Sequence, residues 1–238
     1  MKRLILIICI ILGCVFQCRM ASATEYVAVI GDSITHAVAG TEGKYGYRYF
    51  LWRSLVLAGA DFDFVGSENT NAYDVFQSRP RCGCTLFDQD HEGHGGYKAD
   101  QIVTSLASWM SGYANSPDVA LIHIGTVDLY NDETVSSTED DIEDIIDLLR
   151  AENANIIILL AQIIPIEDAG TNTDIDTLNA ALPALVAGWT TEASPITLVD
   201  CNTGFVVATD TYDGNHPDES GEAKIAAAFF TALDGILY

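Results

Sequence analysis

The sequence predicts an α/β fold, a three-layer sandwich around about five parallel strands. Three observations lead to it. Short apolar runs recur along the chain, they lack the in–out alternation of half-exposed strands, and helical patterns separate them. Unalternating runs mark strands covered on both faces, as in a parallel sheet. Strand–helix alternation is the pattern of layered α/β domains.

The elements follow in order. Residues 26–30 form an apolar run closed by Gly31, and residues 63–65 a weaker one closed by Gly66-Ser67. Residues 119–124 are apolar apart from His123 and close at Gly125; residues 156–161 are the clearest strand and 196–199 the last. Helical spacing marks residues 47–58, 102–110, 178–187 and 221–233. Ser136-x-x-Glu139 reads as a capping box. It opens a helix whose Ile142, Ile145, Ile146 and Leu149 share one face, with acids on the other. No internal repeat, low-complexity stretch or linker interrupts residues 24–238, so they are expected to form one domain.

Residues 1–23 read as a secretory leader. Lys2 and Arg3 precede an apolar run over residues 4–16, and Ala21-Ser22-Ala23 offers a cleavage point. The run is short for a membrane span. Ile11-Leu12-Gly13-Cys14 offers the alternative of a lipoprotein anchored through Cys14. Loss of the leader leaves 8 basic residues against 34 acidic ones, a net charge of −26. Such a surface repels nucleic acid and anionic membranes and favours a neutral substrate. Three cysteines remain, Cys82, Cys84 and Cys201. In an oxidising compartment one disulfide is expected, joining Cys201 to Cys82 or Cys84. Cys-Gly-Cys is not a zinc spacing, and neither a metal nor a cofactor is expected.

The chemistry sits in the turns after the strands, where ligands of a parallel sheet collect. Gly31-Asp32-Ser33 follows the first strand, and Asp213-Gly214-Asn215-His216 precedes the last helix. Serine needs a base to take its proton, and the base needs an acid to fix its tautomer. Ser33, His216 and Asp213 supply all three in the chain order Ser…Asp…His. Gly93-His94-Gly95-Gly96 and Gly125-Thr126-Val127-Asp128 add small residues and backbone N–H groups for an oxyanion. Other readings are weaker. His36 lacks a neighbouring acid, His123 sits inside a strand, and Asp200 reads as a strand end. His91, Glu92 and His94 lack the helical pairing of metal ligands. The acids at 140–147 are a solvated helix face, and no Gly-Lys-Ser/Thr completes a phosphate loop.

These motifs resemble those of SGNH (GDSL-type) hydrolases, and specifically the family 3 carbohydrate esterases, which include acetyl xylan esterases. The resemblance also runs through Ile34-Thr35, Gly46-Tyr47-Arg48, Asp63-Phe64-Val65-Gly66-Ser67, His91 to Tyr97, His123-Ile124-Gly125-Thr126, Leu160 to Pro165 and Pro217. It implies a flavodoxin-like SGNH-hydrolase fold and a secreted esterase removing acetyl groups from polysaccharide through an acyl-enzyme. It makes Ser33 the nucleophile, His216 the base and Asp213 its orienting acid. Ser33 and Gly96 would give oxyanion N–H groups, with Asp32 and Tyr97 on the substrate side. One position departs from the pattern. Val127 stands where the family carries an oxyanion Asn, and Asn131 or Gln162 is the candidate replacement. The alternatives are a weakened carbohydrate-binding pseudo-esterase and another GDSL-type lipase or thioesterase.

Overall fold

The computed structural model describes residues 24–37, 45–70, 81–83 and 85–238. The first half of the chain builds β1 (Glu25–Gly31), α1 (Ser33–His36), α2 (Gly46–Ala58), β2 (Phe62–Val65), β3 (Arg81–Cys82), β4 (Thr85–Leu86), β5 (Glu92–Gly93) and α3 (Ala99–Met110). The second half adds β6 (Val119–His123), α4 (Thr126–Tyr130), α5 (Val135–Glu152), β7 (Ile157–Gln162), α6 (Ala169–Trp189), β8 (Ile196–Asp200), α7 (Val207–Asp210) and α8 (Glu219–Ala232).

Five parallel strands lie in the order β2-β1-β6-β7-β8, and short β5 extends the sheet beside the end of β1. Each strand feeds both faces. Ala28, Ile30, Ala120, Ile122, Ile158 and Leu160 pack against α3, α5 and α6. Their neighbours Val27, Val29, Val119, Leu121 and Leu159 pack against α2 and α8. Two buried apolar clusters on opposite faces explain why the strand sequences show no alternation. The chain leaves β1 for β2 on one side and later returns to β6 on the other. The carboxyl ends of β1 and β6 therefore flank a switch point, where a crevice opens.

The five expected strands and the three-layer arrangement are present, with boundaries moved by a residue or so. Three expectations need correction. The α5 cap is Thr134, whose Oγ1 accepts the Ser137 N–H at 3.1 Å, so Ser136 and Glu139 lie inside the helix and form no capping box. Helix α6 starts at Ala169 rather than near Leu178. Its polar first turns mask the pattern, but Asp168 caps them and Asn172 bonds both backbone groups of Ile166. Of the two pairings expected for Cys201, with Cys82 or Cys84, the one with Cys82 is not formed: both are free thiols buried in the α2/α8 core. Cys84 and the expected leader at residues 1–23 lie outside the described residues. Among the described residues, no helix is long and apolar enough to cross a membrane.

Candidate active site

The turn from β1 into α1 presents Ser33. Asp32 caps α1 by accepting the Ile34 N–H at 2.9 Å. Space here is tight: a Cβ on Gly31 would stand 2.3 Å from both the His123 carbonyl oxygen and Thr35 Oγ1. Only glycine lets the two strands and the turn approach so closely. Support comes from α2. Tyr47 OH and Thr35 Oγ1 share a hydrogen bond of 3.0 Å. Buried Arg48 donates through Nε to the Thr35 carbonyl (2.8 Å) and through Nη1 to the Gln89 carbonyl (3.1 Å). Burial lowers this guanidinium to about 10, which leaves it charged at neutral pH. The Gly46-Tyr47-Arg48 motif thus braces the serine turn from below.

His216 reaches Ser33 from the loop before α8. Asp213 Oδ1 accepts the backbone N–H groups of Asn215 (3.0 Å) and His216 (2.8 Å), which folds the loop on itself. Its Oδ2 lies 2.8 Å from His216 Nδ1, and His216 Nε2 lies 3.0 Å from Ser33 Oγ. A carboxylate on Nδ1 holds the ring proton there and leaves Nε2 to accept the serine proton. Burial opposes the charge on Asp213, but donors from His216 and Asn215 outweigh it and hold the carboxyl below its ordinary value.

The third wall is the loop after β5. The buried Glu92 carboxylate accepts from Ser67 N (2.9 Å), Ser67 Oγ (2.6 Å), His94 Nε2 (2.5 Å) and Tyr113 OH. Burial pushes its pKa up, yet these donors hold it below the ordinary value. His94 stacks on Trp109 with ring centres 3.9 Å apart and donates its N–H to the Gly31 carbonyl at 2.8 Å. His36 Nδ1 accepts the Gly95 N–H at 3.0 Å. His91 bonds the Thr70 carbonyl through Nε2 (2.6 Å) and accepts the Gly93 N–H on Nδ1 (2.9 Å). His91, Glu92 and His94 are thus occupied in holding the loop. Among the described residues, no group of three or more His, Cys, Asp or Glu is placed to hold a metal.

These walls enclose an open cleft of about 690 Å³. Ser33, Gly96, Tyr97, Val127 and His216 all line it. Among the described residues no protein acceptor takes the N–H of Ser33 or Gly96. Gly96 holds φ +80°, a conformation glycine adopts without strain. Val127 brings an isopropyl group to the cleft, at the position where the resemblance to carbohydrate esterases leads to the expectation of an amide. Of the two candidate replacements, Gln162 is committed elsewhere, its Nε2 donating to the Asn179 carbonyl at 2.9 Å. Asn131 does line the cleft, with Nδ2 turned onto the Val127 carbonyl at 2.7 Å.

Residues 29–224 match the model of the GDSL-like Lipase/Acylhydrolase family. The chain belongs to that family. A carbohydrate esterase family 3 structure from Talaromyces cellulolyticus superposes with a TM-score of 0.76 at 29% identity, covering 90% of this chain and 98% of that one. A mutant acetyl esterase solved with an acetate ion gives the same TM-score, 0.76, at 29% identity, with the same coverage of 90% and 98%. A multidomain esterase of Ruminococcus flavefaciens is 26% identical over 92% of this chain, which spans 30% of that relative's length.

In this GDSL-like chain the expected substrate-side role of Asp32 needs correction. Asp32 is fully buried beneath the serine turn and does not line the cleft. Burial, and then the nearby Asp128 charge, push its carboxyl up to about 7. Asp128 is also buried and is raised to about 6 by burial, while its Oδ1 accepts the Ala99 N–H at 2.9 Å. Asp200 turns away to accept the N–H groups of Asn202 and Thr203. His123 is fully buried, and burial lowers it to about 4, so it stays neutral.

Sequence reasoning placed the turns holding Thr126 and Asn215 at the site and weighed His36 there as a rival base, but it did not single out Tyr130 or Ile166 among the lining residues. Ile166 carries no polar signal, and only the β7–α6 connection brings it to the cleft.

Proposed function

We propose that this chain is a secreted serine esterase that removes acetyl groups from a neutral polysaccharide such as acetylated xylan. The observation that carries this is the relay from Asp213 Oδ2 to His216 Nδ1 (2.8 Å) and from His216 Nε2 to Ser33 Oγ (3.0 Å), at the floor of the cleft. The family match supports acyl hydrolysis, and the carbohydrate esterase and acetyl esterase structures support the substrate class. Among the described residues, no carboxylate, lysine or arginine lines the cleft, which suits an uncharged sugar ester. The Lys2-Arg3 pair, the apolar run over residues 4–16 and Ala21-Ser22-Ala23, read as a secretory leader, support secretion.

Ser33 Oγ gives its proton to His216 Nε2 and attacks the acetyl carbonyl. The resulting oxyanion accepts from the N–H groups of Ser33 and Gly96. His216 then protonates the departing sugar oxygen, leaving an acetyl-serine. Water, deprotonated by His216, attacks that ester, and collapse returns Ser33 and acetate. Ser33→Ala removes the nucleophile. Acetate release from acetylated xylan that disappears in this variant supports the proposal, and equal release from both proteins overturns it. A higher rate on long-chain acyl esters than on acetyl esters would move the assignment to a lipase-like or thioesterase-like member.

Val127 favours a second reading, a carbohydrate-binding protein with residual catalysis. A missing oxyanion donor costs about 10²–10³ in rate. That reading predicts retention on acetylated xylan without acetate release.

A further inference from the structure

We propose that Tyr130 is a specificity-determining residue, the platform on which the sugar ring bearing the acetyl group stacks. The inference rests on the esterase reading above and names the feature that would select the alcohol half of the ester. Tyr130 ends α4 and lines the cleft while 57% exposed. The other tyrosine lining the cleft has packing to do: Tyr97 leans on His94 at 5.1 Å and Trp109 at 6.2 Å. Tyr130 makes no ring contact among the described residues. A large aromatic face left open beside a nucleophile has no part in the core.

Placement on α4 aims it at the substrate. Residues three apart on a helix share a face, so Val127 and Tyr130 form one apolar strip running from the cleft floor to its rim. Such a strip matches the C–H face of a pyranose, while a phosphate or carboxylate would gain nothing from it. Next in the chain, Asn131 lines the same cleft. Its Nδ2 is bonded to the Val127 carbonyl, and Oδ1 remains an acceptor for a sugar hydroxyl. An apolar ring flanked by an amide is suited to a sugar, whose two faces are apolar and whose edge is hydroxylated. The strip also gives the Val127 position a use that an asparagine would not serve.

The test compares acetylated xylo-oligosaccharides with p-nitrophenyl acetate, whose leaving group carries no sugar. Tyr130→Ala is expected to lower the ratio of kcat/KM for the oligosaccharide to that for p-nitrophenyl acetate roughly tenfold, mainly through KM. Tyr130→Phe keeps the ring and is expected to hold the ratio near that of the parent chain. An unchanged ratio in Tyr130→Ala overturns the proposal, and so does a Phe variant as impaired as the Ala variant. If the parent chain cleaves p-nitrophenyl acetate but releases no acetate from the oligosaccharide, the polysaccharide reading fails and the platform with it. If it cleaves both while Tyr130→Ala keeps the ratio, the platform alone fails.

Discussion

Ser33 Oγ and His216 Nε2 lie 3.0 Å apart, although 183 residues separate them in the chain. The contact exists because β1 delivers Ser33 to the edge of the switch point, and the Asp213 turn, closed by two backbone hydrogen bonds, holds the imidazole over it. Nothing local to either motif brings the two together; the stacking of α8 against α2 and the sheet does.

The acid of this relay is open to a clean exchange. Asp213→Asn keeps the shape of the turn but sets an amide against Nδ1, which favours the wrong ring tautomer. We expect kcat on p-nitrophenyl acetate to fall about 10⁴-fold, the size of that exchange in a serine-protease triad. Thermal unfolding should show a folded protein. Undiminished kcat would remove Asp213 from the relay. In the parent chain Asp213 is held below its ordinary pKa and stays ionised as pH falls through the usual carboxylate range. Its contribution to stability is therefore full above the ordinary carboxylate pKa and is lost as pH falls from that value through the lower folded one.

Asp32 gives the opposite pH dependence. Burial raises its folded pKa to about 7, above the ordinary aspartate value of 3.8. Between those values the folded chain holds a proton that the unfolded chain has released, so stability falls as pH rises through this window. Asparagine caps a helix as well as aspartate does and cannot ionise. Asp32→Asn should therefore flatten the decline in Tm between pH 4 and pH 8, gaining roughly 5 °C at pH 8 relative to its effect at pH 5. Asp128 shifts the same way and will leave part of the slope in place. Parallel Tm curves for the two proteins would show that Asp32 does not titrate there.

Glu92 tests the loop that carries Gly96. Its carboxylate accepts from Ser67, His94 and Tyr113, all drawn to one buried point. Glu92→Gln sets an amide N–H₂ among those donors and leaves at least one without an acceptor. Urea unfolding should show a loss of roughly 2–4 kcal/mol. Turnover should fall as well, because His94 ties this loop to the Gly31 carbonyl. A chain of unchanged stability would mean that the network is not needed.

Much of this was legible in the sequence, for identifiable reasons. Strands buried on both faces write themselves as apolar runs, and the serine and histidine turns carry short polar signatures. The polar opening turns of α6 hid nine residues of helix, since their stability comes from Asp168 and from Asn172 gripping Ile166. Asp32 looked like a cleft residue because it adjoins Ser33. A backbone turn of one residue can reverse a side chain's direction, and the sequence does not report that. Tyr130 was invisible for a different reason: an exposed tyrosine on a short helix has no pattern to belong to.

Val127 bears on how fast the site can be. Among the described residues, Ser33 and Gly96 line the cleft with backbone N–H groups that no protein acceptor takes, and Val127 adds no side-chain donor. Asn131 caps the end of α4, one turn on, but its Nδ2 donates to the Val127 carbonyl. Val127→Asn places an amide of similar size at the cleft wall, as the resemblance to carbohydrate esterases leads one to expect there. A donor introduced into a site not shaped around it recovers only part of the 10²–10³ that a built-in donor supplies. We therefore expect kcat on p-nitrophenyl acetate to rise roughly tenfold with little change in KM, since the oxyanion forms only on the way to the transition state. The same exchange breaks the apolar strip with Tyr130, so KM for an acetylated oligosaccharide should rise in the same variant. A kcat that stays level on both substrates would mean that the two backbone donors already suffice, and that Val127 serves the sugar alone.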